Sequence, residues 1–392
     1  MKRWIVFLAI IAMVVSITGC GGSKQTAGSN SNEAKTIKIG IDLELSGGVA
    51  AFGSSALDGA KLAVKEINAK GGVLGKQLEL AIADNASKAE ESTRAIQKLI
   101  SDDKVVAVIG AATSGNTLAA STVAMEKKIP LITPSGTATK VTVDERTGKV
   151  KDYIFRTCFI DPFQGTVMGN FAAKDLKAKT AAIYIDSSSD YSKGLAKSFE
   201  EQFTKNGGQI VTKESYQQKD TDFKAVLTRI KDKNPDVIYV PGYYEEVGKI
   251  IKQGREMGIT VPFLGGDGWD APQMLEIAGN AALNNTFFSN HYSAEDTSPE
   301  VQKFVENFKK EYNKVPDGFA VLGYDSVQLI AEAIKNAGSA EPTKIKDALA
   351  QIKDFKAVSG TITFNETHDP VKSAVIIEYK DGKQSFKTKV NP

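Results

Sequence analysis

Histidine and cysteine are nearly missing from this 392-residue chain, which carries two of each. His291 lies in "FFSNHY", read as a strand, and His368 in the turn-like "NETHDP". No His/Cys cluster with metal-ligand spacing can be assembled from so few groups. Cys20 falls at the end of a leader, which leaves Cys158 without a partner and excludes an internal disulfide. Cys158 has no sequence-near base and suits a small buried or hinge residue better than a nucleophile. A G-x-S-x-G turn is absent, and "GGVLGKQ" lacks the first glycine and the Ser/Thr of a phosphate loop. An excess of charge is missing as well. With Lys2 and Arg3 removed in the leader, the 49 basic residues fall to 47 and equal the 47 acidic ones. A neutral chain has no basic field for nucleic acid. These absences argue against catalysis, a metal, a cofactor or a nucleic-acid partner.

What the chain does have begins at its first residues. Lys2 and Arg3 precede an apolar run from Trp4 to Val15, and "SITGC" follows. A basic start, a short apolar stretch and small residues before a cleavage point form a secretory signal over residues 1–19. The run is too short for a comfortable spanning helix. Ile17-Thr18-Gly19-Cys20 resembles the bacterial lipobox, which implies lipidation of Cys20. Residues 20–35 are small and polar, a flexible tether that reaches roughly 20 Å. About 355 residues follow, more than one core usually holds, so two domains are expected.

Short apolar runs alternate with amphipathic ones. Strands are expected at Ile37–Leu43, Leu78–Ala83, Val105–Ile109, Leu131–Thr133, Tyr153–Thr157, Ala181–Ile185, Val237–Val240 and Phe263–Leu264. One helix is expected over Ala56–Lys70, closed by Gly71 and Gly72. Another covers Ser298–Tyr312, with Ser298 as its cap and Pro299 in its first turn. Its Val301, Phe304, Val305, Phe308 and Tyr312 fall on one face. The alternation predicts a doubly wound α/β fold with parallel sheets. "IDLELSGGVAAFG" and "IDSSSDYSKG" both run from strand through a serine-rich loop to an aromatic ahead of a helix, Phe52 in one and Tyr191 in the other. They read as analogous loops of two similar domains.

In open α/β sheets ligands bind beyond the carboxyl ends of strands, where helix-start amides are free. "VVAVIGAATSGNT" breaks from an apolar run into Ser114, and "PLITPSGTATK" into Ser135, Gly136 and Thr137. Together they offer hydroxyls and backbone N–H groups that suit a carboxylate, although Ser and Thr often cap helices and nothing more. Farther on, "DVIYVPGYYEEVG" ends in Gly242 and Tyr243, and "VPFLGGDGWDAP" sets Asp267 among glycines that let a ligand approach. Asp267 suits an ammonium group or a turn. Phe52, Tyr191, Tyr243 and Trp269 suit pocket walls or plain packing.

"IKIGIDLELSGGVAAFG", "VIGAATSGNT", "PLITPSGTATK", "FRTCFIDPFQG", "GYYEEVGKI" and "GGDGW" follow one another in this order. From Ile37 to the C-terminus the chain resembles the extracellular solute-binding proteins of ABC-type importers, in the branched-chain amino-acid (Leu/Ile/Val) family. The resemblance implies a type I periplasmic-binding-protein-like fold, two α/β lobes joined by three crossover segments that close on ligand. It places lobe 1 at 36–158 plus 290–371 and lobe 2 at 159–289 plus 372–392. Carried over residue by residue, it implies that Ser114 binds the ligand's carboxylate, that Ser135 offers its backbone amide and carbonyl with Gly136 beside it, and that Thr137 contacts both ends of the zwitterion. Asp267 faces the ammonium, and Tyr243, Tyr191 and Phe52 flank the cleft. Phe52 stands where several relatives have tyrosine, and Asp267 is shorter than the glutamate of some members, so side-chain preference stays open. The implied function is capture of an aliphatic amino acid by a monomeric lipoprotein, with delivery to membrane permease subunits. A short amide, a polar or aromatic amino acid, or a sensor role remain as alternatives.

Overall fold

The computed structural model describes residues 36–391. The expected signal segment, the lipidated Cys20 and the tether lie outside the described residues. The chain opens with β1 (Thr36–Leu43), α1 (Ala50–Ala69), β2 (Gln77–Asp84), α2 (Ala89–Ser101), β3 (Ala107–Gly110), α3 (Ser114–Lys127), β4 (Leu131–Thr133) and β5 (Ile154–Arg156). These strands form a five-stranded parallel sheet in the order β2-β1-β3-β4-β5. In β1 both faces are covered: Ile37, Ile39, Ile41 and Leu43 are buried on one side and Asp42 on the other. That is why the strand reads as a near-continuous apolar run.

The chain then continues through α4 (Asp161–Asn170), β6 (Thr180–Asp186), α5 (Asp190–Lys205), β7 (Gln209–Tyr216), α6 (Lys224–Asp232) and β8 (Val237–Tyr239). It goes on through α7 (Tyr244–Glu256), β9 (Phe263–Gly265), α8 (Pro272–Ala278), α9 (Asn280–Leu283) and β10 (Thr286–Asn290). Next come α10 (Pro299–Tyr312), α11 (Gly318–Ala337), α12 (Pro342–Ala350) and the short hairpin β11 (Phe355–Ala357) and β12 (Gly360–Ile362). The strands β13 (Ala374–Lys380) and β14 (Lys383–Val390) close the chain. The second sheet has seven strands, ordered β14-β13-β10-β9-β8-β6-β7. It is parallel except where β13 meets β10 and β14.

The chain passes between the two bodies three times: after β5, after β10 and after β12. The helical segment α10–α12 returns to the first body, where α11 lies along α1. Gly59 and Gly323 let those helices touch. A methyl on Gly59 would fall 1.8 Å from the carbonyl oxygen of Ala320, and one on Gly323 2.0 Å from that of Ala56. No larger residue fits either place.

The expected α/β architecture is present, with differences in detail. Helix α1 starts at Ala50 rather than Ala56, because Gly47, at φ +88°, makes the turn and nothing after it breaks a helix. Phe52 and Tyr191 therefore sit inside the first turns of α1 and α5, not ahead of them. Val105 and Val106 are not part of β3: the Val105 amide closes back on α2 at the Leu99 carbonyl. Strands β7 and β14 escaped the apolar-run criterion because they are edge strands with exposed polar residues. Ser298 precedes α10 as expected, but its side chain makes no capping bond.

Candidate functional site

The loops that follow β1, β3, β6 and β8 line one cavity of about 280 Å³, whose walls include Val49, Thr113, Ser189, Asp190 and Tyr243. Loops from both sheets thus meet at a single gap. The contacts that bridge it include the Lys140–Asp190 pair at 2.5 Å and the Ala51 amide, 3.5 Å from the Tyr244 hydroxyl.

The first wall is built around the turn from β3 into α3. Glu44, just past β1, is fully buried and holds that turn. It accepts the amides of Ala112 (2.9 Å) and Thr113 (3.1 Å), the Thr113 hydroxyl (2.8 Å) and the Asn116 amide group (2.8 Å). This fixes Ser114 as the first residue of α3, where the opening amides have no intrahelical partner. The Ser114 hydroxyl accepts the Ala138 amide at 3.1 Å and keeps its own hydrogen to donate. Ser135 donates to the Ala112 carbonyl at 2.7 Å. The Thr137 hydroxyl is buried beside the Asp161 carboxylate. Gly136 is engaged on both sides: its N–H donates to Thr133 Oγ1 at 2.8 Å, and its carbonyl accepts from Arg156 Nη1 at 2.7 Å. A side chain there would run into the Thr133 and Thr117 hydroxyls at 2.8 and 2.9 Å. Its packing role is therefore visible in the structure. Arg156, itself buried and paired with Asp369 at 2.6 Å, also grips the Ala138 carbonyl and so ties down the loop that carries Ser135 and Thr137.

The second wall centres on Asp267, 2% exposed, in a short turn after β9. Its carboxylate accepts from the Tyr191 hydroxyl at 2.7 Å and meets His291 Nε2 at 2.9 Å. The Tyr191 oxygen also accepts the Gly268 amide at 2.9 Å, and Gln164 Oε1 accepts the Asp267 amide at 2.7 Å. Asp267 shapes a turn but caps no helix. Burial, with Asp267 beside it, pushes the Tyr191 phenol well above its usual range. Burial outweighs the Asp267 contact at His291 and holds that imidazole below its usual value, so it is neutral near pH 7.

Aromatic rings join the walls. Tyr191 and Tyr243 stack at 5.2 Å, and Phe52 meets Tyr243 edge-on at 5.6 Å. The other face of Phe52 stacks on Phe319 at 4.1 Å, so it acts as a wall and a core residue at once. Trp269 is not a wall. It is fully buried, with its indole N–H on the Val240 carbonyl at 3.1 Å. Of the residues expected from the sequence, only Tyr243 lines this cavity; Ser114, Ser135 and Thr137 are buried behind the first set of loops, Asp267 and Tyr191 behind the second, and Phe52 packs against Tyr243.

Sequence reasoning missed His291, Glu44, Gln164 and Arg156. His291 follows β10 directly and stacks on Phe159 at 3.7 Å, both on passages between the bodies. Its signal was rarity, one of two histidines, but nothing local pointed to Asp267, 24 residues away. Glu44 and Arg156 carried a usable signal: a charge at the end of a buried apolar strand needs a partner. Cys158 is buried, and burial pushes its thiol to about 12, which fits an inert residue. Among the described residues no group of His, Cys, Asp and Glu could hold a metal ion, and no helix is long and apolar enough to cross a membrane.

Residues 36–384 match the model of a family described as periplasmic binding protein. A Leu/Ile/Val-binding protein of Rhizobium johnstonii is 32% identical over 334 residues, covering 85% of this chain and 88% of that one. A leucine-binding protein from Thermotoga maritima superposes with a TM-score of 0.86 at 38% identity, over 91% of this chain and 99% of its own. The branched-chain amino-acid transporter substrate-binding protein of Streptococcus pneumoniae, solved with isoleucine, gives 0.85 at 42% identity, over 91% and 100%. The resemblance seen in the sequence motifs thus extends over the whole fold, and the chain belongs to the periplasmic binding protein family.

Proposed function

We propose that this protein is the substrate-binding component of an ABC-type importer, capturing a branched-chain aliphatic amino acid between its two bodies and handing it to membrane permease subunits. What supports this reading is a buried set of hydroxyls and helix-start amides in the first body, around Ser114, Ser135 and Thr137, together with a buried acid, Asp267, in the second. A zwitterion has the complementary poles. Its carboxylate goes to the serine and threonine loops and the α3 amides, where each charge-assisted bond contributes about 1.5–3 kcal/mol. Its ammonium goes to Asp267. Tyr191, Tyr243 and Phe52 exclude water, and pairing strengthens as the gap dries. Gly136 contributes by letting the Ser135–Thr137 loop pack closely on Thr117 and Thr133. The names of the Rhizobium, Thermotoga and Streptococcus proteins support a branched-chain ligand. One methylene is worth only about 1–3 kcal/mol in such a pocket, so leucine, isoleucine and valine are separated weakly.

The lobes of this reading are 36–158 plus 290–371 and 159–289 plus 372–392. Asn290 pairs with Val375 in the second sheet. Lipidation of Cys20 holds the protein outside the cytoplasm at the membrane surface. The test is a thermal-shift screen against the twenty amino acids and a few short amides and aromatic acids. A ligand that binds only the folded form raises the melting temperature. A rise confined to leucine, isoleucine, valine and close aliphatic relatives supports the proposal. A rise with amides or aromatic acids alone overturns the ligand class.

A further inference from the structure

Asp161, the first residue of α4, is a buried carboxylate that the Asp267-centred scheme does not use. It is 1% exposed, and among the described residues the only side-chain donor beside its carboxylate is the Thr137 hydroxyl. A buried acid met by a single hydroxyl is unusual. Its surroundings tie it to the loop that carries Thr137 and to α5. Its own amide donates to the Thr137 carbonyl at 3.0 Å, and its Oδ2 lies against α5, where a methyl on Gly194 would approach within 2.8 Å. The charge of Asp267 is felt at Asp161, and that of Asp161 at Tyr239 and Tyr243. Two more buried polar atoms nearby are unpartnered: Gln164 Nε2 and the Tyr239 hydroxyl.

Arg156 is already committed to Asp369 and to the Gly136 and Ala138 carbonyls. His291 is neutral. Lys372, the other buried cation nearby, is bonded to the Ser359 hydroxyl at 2.5 Å. Among the described residues the cations near Asp161 and Asp267 are therefore committed elsewhere. Asp267 is the better satisfied of the two acids, because Tyr191 and His291 already occupy its oxygens.

Resting on the amino-acid reading of the cleft, we propose that Asp161 is a second ammonium-binding residue, which acts with Thr137 Oγ1 on the amine end of the ligand while Asp267 takes the other side. The cluster is then selective for ligands with a protonated amine. Burial holds the Asp161 carboxyl well above the ordinary carboxylate range, the behaviour of an acid waiting for a cation. A ligand that lacks the amine leaves the acid unpaired.

The test compares leucine with 4-methylpentanoate, the same molecule without its amine, by titration calorimetry on the full chain in detergent. Asp161→Asn, which keeps shape and volume, is measured beside the wild type, with Asp161→Glu and Thr137→Val as second variants and thermal melting as the folding check. Asp161→Asn is expected to weaken leucine by about 10–100-fold and to leave 4-methylpentanoate unchanged or improved, with Asp161→Glu recovering part of the leucine affinity. Loss of one charge-assisted bond corresponds to that range. An equal fall for both ligands means a structural role and overturns the proposal. An unchanged leucine affinity also overturns it, while leaving the amino-acid reading intact. Failure of the wild type to bind leucine, isoleucine or valine overturns that reading and this proposal together. Should Asp161→Asn not fold, Thr137→Val carries the same comparison, and an unchanged leucine-to-analogue ratio there counts against it.

Discussion

Asp267→Asn isolates the charge at the centre of the second wall. Asparagine keeps an oxygen for the Tyr191 hydroxyl, now 2.7 Å away, and places its amide near His291 Nε2, now at 2.9 Å. The fold around it should survive. What is lost is the negative charge, at a site that is 2% exposed. Two unit charges about 4 Å apart attract by about 4 kcal/mol at the effective dielectric of about 20 that suits proteins. Removing one member of a buried pair costs about 3–5 kcal/mol, because the other stays buried and unpaired. Asp161 shares the ammonium in the proposed arrangement, so the expected loss is at the lower end, about 2–4 kcal/mol or roughly 30–700-fold in Kd. Titration calorimetry with isoleucine measures it, and melting of the ligand-free variant shows whether the fold is kept. A variant that melts like the wild type and binds isoleucine within about threefold would remove Asp267 from the ammonium contact.

Phe52→Ala removes a ring that packs on Phe319, Tyr243 and Tyr244, and should lower unfolding stability by about 3–5 kcal/mol in urea titrations; a loss under about 1 kcal/mol would contradict its placement in the core. Burial raises the Asp42 carboxyl from its ordinary 3.8 to about 8. Between these values the folded chain holds a proton that the unfolded chain has released, so this group's contribution falls as pH rises, by at most about 1.4 kcal/mol per unit. Asp42→Asn should therefore gain on the wild type between pH 5 and pH 8 in urea titrations, and parallel pH dependence of the two would refute the assignment. Cys20→Ser should move the protein from the membrane pellet to the soluble fraction, and a variant that stays in the pellet counts against lipidation.

The fold was legible where burial and periodicity agree. β1 is covered on both faces and its apolar run showed it; α10 buries Val301, Phe304, Val305 and Phe308 on one stripe. Edge strands β7 and β14 were illegible, since residues such as Lys213, Ser215 and Lys387 face solvent and break any apolar pattern. The donor-rich wall could be read because Ser114, Ser135 and Thr137 follow strands within a few residues. The opposite wall is assembled from distant segments. Asp267 meets Tyr191 across 76 residues, Gln164 across 103 and His291 across 24. No local spacing encodes contacts of that range. Asp161 lies in "FRTCFIDPFQG", where an acid at a helix start is ordinary; only its depth of burial distinguishes it.

A crystal structure of the full chain grown with isoleucine tests the central claim most directly. The account predicts density in the gap between the two sheets, with the amino acid's carboxylate on Ser114, Ser135 or Thr137 and its ammonium against Asp267. A ligand lodged elsewhere, or lying in the gap with its poles reversed, would contradict it.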